Sequence, residues 1–387
     1  MTAQDNFPVP LLDLKRQFAA LRDAIDARLS SAMAHQEWIL GPEVREFESM
    51  FAKLLKVEHA IGTSSGTEAL LIALRALALE HTSSEYWTTQ DEVVTTAFSF
   101  TATGDTILRA GATPVFLDVD PLTCNMNLDL LEEYVTRTPH VRAIVVVHLY
   151  GRPIDMERVA RIAAPRRIHV IEDVAQACGA KSGIHQCGGM GTVGAFSFFP
   201  SKNLGAFGDA GLVSTNDGKL AETARMLCRH GGKDKYNVEY VGYNARLDTL
   251  QAAILLAKLP FLADFNKRRR AIADMYTQGF AGLRGVETPP DEEGHVYHQY
   301  TIRVLHGRRD EYKSFLDTHR IGSAVYYPVP LHLMKVFHDR SKIPFACPEA
   351  ERAAREVLSI PIEPLLDPWE VERVITVTRQ FFHSECR

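Results

Sequence analysis

The chain has 387 residues, 46% hydrophobic and 24% charged, which is enough apolar side chain for a large core and length enough for roughly two domains. A net charge of −5 offers no basic surface, so the sequence predicts neither nucleic acid nor membrane lipid as a partner. Six scattered cysteines (Cys124, Cys178, Cys187, Cys228, Cys347, Cys386), with no CxxC pair, predict reduced thiols and exclude a disulfide framework or zinc site. The opening MTAQDNFPVP lacks the charged and apolar regions of a signal peptide, and this predicts a cytoplasmic protein. IGTSSGTEALLIALRALALE (61–80) follows. Ser65 and Glu68 fit a capping box that opens a helix, and Gly66 lets backbone N–H groups at that helix start approach an anion. Arg75 cuts the apolar run well short of a bilayer span. The polar stretch 78–93 reads as a surface loop without a catalytic part.

From there β-rich runs alternate with helical patterns: VVTTAF (93–98), PVFLDV (114–119), AIVVVHL (143–149), HVIEDV (169–174), AFSFF (195–199) and GLVST (211–215), with LDLLEEYV and MERVARIAA between them. AIVVVHL is continuously apolar, as a strand covered on both faces should be. This rhythm predicts an α/β protein with a mostly parallel, mixed central sheet flanked by helices. Near residue 247 a long helical stretch begins, interrupted at Pro260, and the strand YHQYTIRVL comes after it. The expected division is 1–255 as a large domain with an N-terminal helical arm, and 256–387 as the connecting helix and a smaller α+β domain. NKRRR (266–270) reads as a solvated helix face, and His295 with His298 lacks the spacing of a metal site.

Two residues carry the chemistry. Asp173 closes an apolar strand, where open α/β sheets bind ligands, and a buried carboxylate there needs a partner. A helix cap or a cationic ring nitrogen would each serve. Lys202 lies in SFFPSKNLGAFGDAG (197–211) with no other charged residue within six positions on either side. Desolvation there lowers a lysine pKa and favours the neutral amine that forms Schiff bases. A lysine, a strand-end aspartate and a phosphate-binding helix start together describe a site for pyridoxal 5′-phosphate.

The chain also resembles the DegT/DnrJ/EryC1/StrS family of sugar aminotransferases, of fold type I. The likeness runs through LLDLKRQ (11–17), WILGPEVREFE (38–48), GTSSGTEAL, DEVVTTAFSFTAT, GATPVFLDVDP, VVVHLYGRPIDM, VIEDVAQACGA, SFFPSKNLGAFGDAG and GYNARLDTLQAAIL, and more loosely YYPVPLHL. The resemblance implies that Lys202 holds the cofactor and shuttles a proton, that Asp173 keeps the pyridine nitrogen protonated, and that Gln176 approaches the ring hydroxyl. It implies Phe100 stacked on the ring, Gly66, Thr67 and Ser197 on the phosphate, and Asn244 reaching the phosphate of the neighbouring subunit in a homodimer with shared active sites. His148, at the same sheet edge, becomes a candidate to touch substrate or to support a residue that does; Arg229 and His332 become substrate candidates, with His230 and Tyr236 near a bound nucleotide.

The implied reaction moves an amino group from L-glutamate, by way of pyridoxamine 5′-phosphate, to a nucleotide-linked ketosugar, for amino-sugar, polysaccharide or glycoside biosynthesis. GDAG at 208–211 resembles relatives that act at C3, where those acting at C4 read GEGG. The alternatives are amination at C4, a sugar dehydratase (which carries histidine in place of Lys202) and a non-catalytic regulator on the same fold.

Overall fold

The computed structural model describes residues 7–82 and 84–383, so Cys386 lies outside the described residues. Seven strands form the central sheet: β1 (His59–Thr63), β2 (Glu92–Thr96), β3 (Thr113–Leu117), β4 (Val141–Val147), β5 (His169–Asp173), β8 (Val193–Ser197) and β9 (Gly211–Thr215). A small hairpin, β6 (Lys181–Ser182) with β7 (His185–Gln186), lies outside it. The sheet order is β1-β9-β8-β5-β4-β2-β3. Only β9 runs antiparallel to its neighbours; the pairs from β8 to β3 are parallel. The sheet is mixed, as expected. Its six co-directional strands therefore end at one edge, where Thr63 and Ser197 both stand opposite Gly211.

β4 shows why the apolar runs become central strands. Ala143 and Val145 pack on one face with the helix Gly66–His81, while Ile144 and Val146 pack on the other with Leu131, Val135 and Val159. Residues alternate between faces along a strand, so covering both faces demands an unbroken apolar run. β1 is absent from the sequence reading because HAIGT holds a single large apolar residue, Ile61; it is an edge strand paired with β9, and Thr63 also bridges Arg246.

A second core gathers Tyr276, Tyr300, Tyr312, Phe381 and Phe382 around the sheet of β10 (Val286–Glu287), β11 (Tyr300–Val304) and β12 (Val357–Ile360). Val9 belongs to it through a bridge to Ile321. The long stretch after residue 247 is two helices, Thr249–Lys258 and Leu262–Gly279, separated by a tight turn over Leu259–Phe261 that contains Pro260. The N-terminal helix Leu14–His35 packs Leu21 and Ile25 against Ile254 and Ala257 of the first of these.

Two expectations need correction. Residues 78–93 are not simply a surface loop: the helix runs to His81, and Trp87 is buried with its indole N–H donating to the Leu74 carbonyl at 2.8 Å. Nor is NKRRR wholly solvated, because Arg269 is buried and donates to the Ile362 carbonyl at 2.7 Å. The five described cysteines are free and buried. Among the described residues no helix is long and apolar enough to cross a membrane.

Candidate active site

The edge at which the parallel strands end collects the candidate residues. Asp173, the last residue of β5, is buried. One carboxylate oxygen accepts the Thr103 hydroxyl at 3.0 Å and the other the Ala175 N–H at 3.1 Å. Thr103 is held in turn by Ser99 at 2.9 Å. Burial pushes the Asp173 carboxyl up, opposed by the Ala175 and Thr103 donors and by the charge of Lys202. No ion pair to Asp173 forms among the described residues, so a buried carboxylate with free lone pairs faces the strand-end edge.

At the same edge Ser65 caps the helix Gly66–His81, its hydroxyl accepting the Glu68 N–H at 3.1 Å. The reciprocal half of the box is not made, because the Glu68 carboxylate pairs with Arg109 at 2.9 Å. The Gly66 and Thr67 amides occupy the first two helical positions, which have no intrahelical carbonyl to bond. A Cβ on Gly66 would sit 2.5 Å from the Ser197 Cβ, so glycine is what allows the helix start to close on the end of β8. This brings the Gly66 and Thr67 amides beside Ser197, donors of the kind an anion takes.

Lys202 rises from the loop that leaves β8. The loop is pinched at its base by Phe198, which donates to the Ala210 carbonyl and accepts from the Ala206 amide, each at 2.8 Å. The Lys202 amide donates to the Phe199 carbonyl at 2.8 Å, making a turn that lifts the side chain towards the sheet edge. Asn203 is tied to Asn266 at 2.8 Å, and Lys258 donates to the Gly205 carbonyl at 2.5 Å. Burial pulls the Lys202 ammonium down to about 8, against the pull of Asp173 in the other direction. Its charge also helps to hold His298 neutral, after burial, which is the main cause.

Around this pair, Gln176 accepts the Tyr150 amide at 2.6 Å and donates to the Tyr327 hydroxyl at 2.9 Å. Phe100 is 54% exposed, with its ring 6.0 Å from that of Tyr327. Sequence reasoning gave no role to Thr103 or Tyr327. Both stood inside quoted motifs, but only the fold brings them to Asp173 and Gln176.

The substrate candidates separate. His148 is fully buried: its Nδ1 accepts the Ile154 N–H at 3.1 Å and its Nε2 lies 3.1 Å from Glu172. The Ile154 contact uses the Nδ1 lone pair, which turns Nε2 towards Glu172. Both nitrogens are engaged by neighbouring groups of the fold. The lone pairs a metal would need from Glu172 are likewise taken, by the amides of Gly188, Met190 and Gly191. His332 is buried beside the Ala97 carbonyl, which accepts the Leu331 amide, and its Nδ1 has no protein partner. Arg229 and Asn244 face each other in an isolated bridge, both exposed, and Ala245 next to them accepts the Ser64 N–H at 3.1 Å. His230 and Tyr236 lie in the exposed loop beyond Arg229.

The donor set fits pyridoxal 5′-phosphate. An amide cradle suits the phosphate, an unpaired buried carboxylate suits a protonated ring nitrogen, and a lysine with a lowered pKa suits the aldehyde.

Comparison with known proteins agrees. Residues 20–379 match the DegT/DnrJ/EryC1/StrS aminotransferase family. A pleiotropic regulatory protein of Geobacillus stearothermophilus is 43% identical over 97% of this chain and 98% of its own. The UDP-N-acetyl-3-dehydro-α-D-glucosamine 3-aminotransferase of Acidithiobacillus ferrooxidans is 41% identical over 98% and 99%. The dTDP-3-amino-3,4,6-trideoxy-α-D-glucose transaminase of Streptomyces venezuelae is 40% identical over 96% of each chain. Among solved structures, S. venezuelae DesV in complex with a ketimine intermediate superposes with a TM-score of 0.90 at 39% identity, covering 97% of this chain and 98% of that one. Bacillus subtilis NtdA with bound cofactor PMP gives a TM-score of 0.89 at 30% identity, covering 98% and 87%.

Proposed function

This chain belongs to the DegT/DnrJ/EryC1/StrS aminotransferase family, and on that premise we propose that it moves an amino group from L-glutamate to C3 of a nucleotide-linked 3-keto sugar. The observation that carries the chemistry is Asp173, buried without a cationic partner beside a lysine whose ammonium is pulled down to about 8. The names of the A. ferrooxidans and S. venezuelae relatives support position C3, since both specify a 3-amino product or a 3-amino transfer. The acceptor we favour is a dTDP-3-keto-6-deoxyhexose or a UDP-2-acetamido-3-keto-hexuronic acid.

When bound, the cofactor supplies an electron sink for the bonds around the amino carbon. Asp173, oriented by Thr103 and the Ala175 amide, holds a proton on the ring nitrogen and so keeps the ring electron-poor. Gly66, Thr67 and Ser197 anchor the phosphate, which fixes where the ring lies against the sheet edge. Phe100 would lie against one face of the ring, and Gln176, tied to Tyr150 and Tyr327, would border its hydroxyl. Lys202 Nζ would hold the cofactor at rest and would carry the proton between the two carbons during transfer. A lysine near pKa 8 accepts and releases that proton with little penalty at neutral pH.

The enzyme acts as a homodimer with shared sites, the partner's Asn244 completing the phosphate cradle. Exposed aromatic side chains such as Trp38, Phe199 and Phe207 leave apolar surface for a second copy to cover. Arg229 and His332 are the side chains proposed to meet the sugar nucleotide. The reaction takes place in the cytoplasm.

The half-reaction tests the proposal against the regulator reading. Holoenzyme mixed with L-glutamate and no acceptor should release one 2-oxoglutarate per site, with loss of the visible absorbance of the bound cofactor. A spectrum unchanged by glutamate, with no 2-oxoglutarate, contradicts it.

A further inference from the structure

Arg75 is fully buried in the helix Gly66–His81, yet no carboxylate closes on it at short range: its guanidinium lies 3.5 Å from the Glu85 carboxylate. Its other contacts divide between two segments. Nε donates to the Glu85 carbonyl at 2.7 Å, and the guanidinium carbon lies 3.5 Å from the centre of the Tyr86 ring. On the far side it donates to the Tyr243 hydroxyl at 2.6 Å and to the Val241 carbonyl at 3.2 Å. The Glu85 carboxylate then crosses directly to the second segment and accepts the Val241 N–H at 3.0 Å. Trp87, buried behind them, fixes the Glu85–Tyr86 pair to the helix.

The segment so gripped leads into Asn244. Its inner edge is zipped by backbone bonds: His230 N–H to the Tyr243 carbonyl at 2.9 Å, Tyr243 N–H to Leu227 at 2.7 Å, and Ser64 N–H to Ala245 at 3.1 Å. Its outer end at Val241 is exposed, and there the side-chain contacts given above come from Glu85 and Arg75. We propose that Glu85 and Tyr86 are positioning residues that, through Arg75 and Val241, set the place of Asn244 and so the affinity of the neighbouring subunit for the cofactor phosphate. The proposal rests on the reading of Asn244 as a donor across the dimer. A stretch that reads as polar surface loop is thereby coupled to the partner's site.

Titration of the full-length dimer, freed of cofactor, with pyridoxamine 5′-phosphate tests it by the dissociation constant rather than by turnover. Glu85→Ala, at a half-exposed side chain, should weaken binding roughly five- to tenfold, the loss of a charge-assisted hydrogen bond felt through one loop. Glu85→Gln keeps an oxygen for the Val241 N–H and should recover most of the affinity; Tyr86→Leu should give a smaller loss of the same kind. In an Asn244→Ala background Glu85→Ala should change the constant less than about twofold, because both act on one contact. An unchanged constant in Glu85→Ala, or the full loss repeated in the Asn244→Ala background, overturns the positioning role while leaving the dimer reading intact. An unchanged constant in Asn244→Ala alone overturns the dimer reading and this proposal with it.

Discussion

The lowered pKa of Lys202 has a kinetic consequence. At pH 7 a lysine held at about 8 is neutral in about 9% of molecules, whereas one at the ordinary 10.5 is neutral in about 0.03%. The fold therefore raises the concentration of free amine roughly 300-fold, before any gain from orientation. Rapid mixing of cofactor-free enzyme with pyridoxal 5′-phosphate, followed by the visible absorbance of capture, reads this directly. The rate constant should climb about tenfold per pH unit below 8 and level off above it. Asp173→Asn gives the second handle. Burial lowers the ammonium and Asp173 opposes that, so removing the carboxylate charge should shift the midpoint further down, below that of the parent. A rate still rising tenfold per unit between pH 9 and 10, or a midpoint that moves up in Asp173→Asn, would refute the reasoning.

Asp173→Asn should also keep the fold but lose more than about 100-fold in kcat/KM, on the scale of removing one preorganised electrostatic group from a site; activity within a few-fold of the parent makes the aspartate a structural residue only. Gly66→Ala places a Cβ 2.5 Å from the Ser197 Cβ, so the helix start must move off β8. We expect about 1–3 kcal/mol of lost stability by denaturant unfolding, together with weaker pyridoxamine 5′-phosphate binding. Mixing inactive Lys202→Ala with weakened Asn244→Ala should rebuild one intact site per hybrid dimer. Activity no higher than in either parent, with subunit exchange demonstrated, would place Asn244 outside the partner's site.

The parts legible in the sequence are those whose physics is local. β4 announces itself because burial on both faces demands continuous apolar residues, and Lys202 is conspicuous because no other charge stands near it. Ser65 is readable as a cap from spacing alone. What the sequence hides is long-range. Thr103 meets Asp173 only because β2 and β5 end at the same edge, and β1, with Ile61 its one large apolar residue, does not advertise itself. His148 follows β4 at that edge, but the sequence does not show that its ring meets Glu172 and the Ile154 amide. Glu85 and Tyr86 look like polar loop because their partner, Arg75, is reached only once Trp87 is buried.

The central claim is a transfer of nitrogen to C3, and the position of that nitrogen in the product tests it most directly. Purified enzyme, pyridoxal 5′-phosphate and 15N-labelled L-glutamate would be incubated with 3-keto and 4-keto nucleotide sugars on dTDP, UDP and GDP, and the products read by NMR. The account predicts 15N bonded to C3 of a dTDP- or UDP-linked sugar, with one 2-oxoglutarate formed for each amine transferred. Nitrogen on C4 with the 3-keto sugars untouched would contradict it.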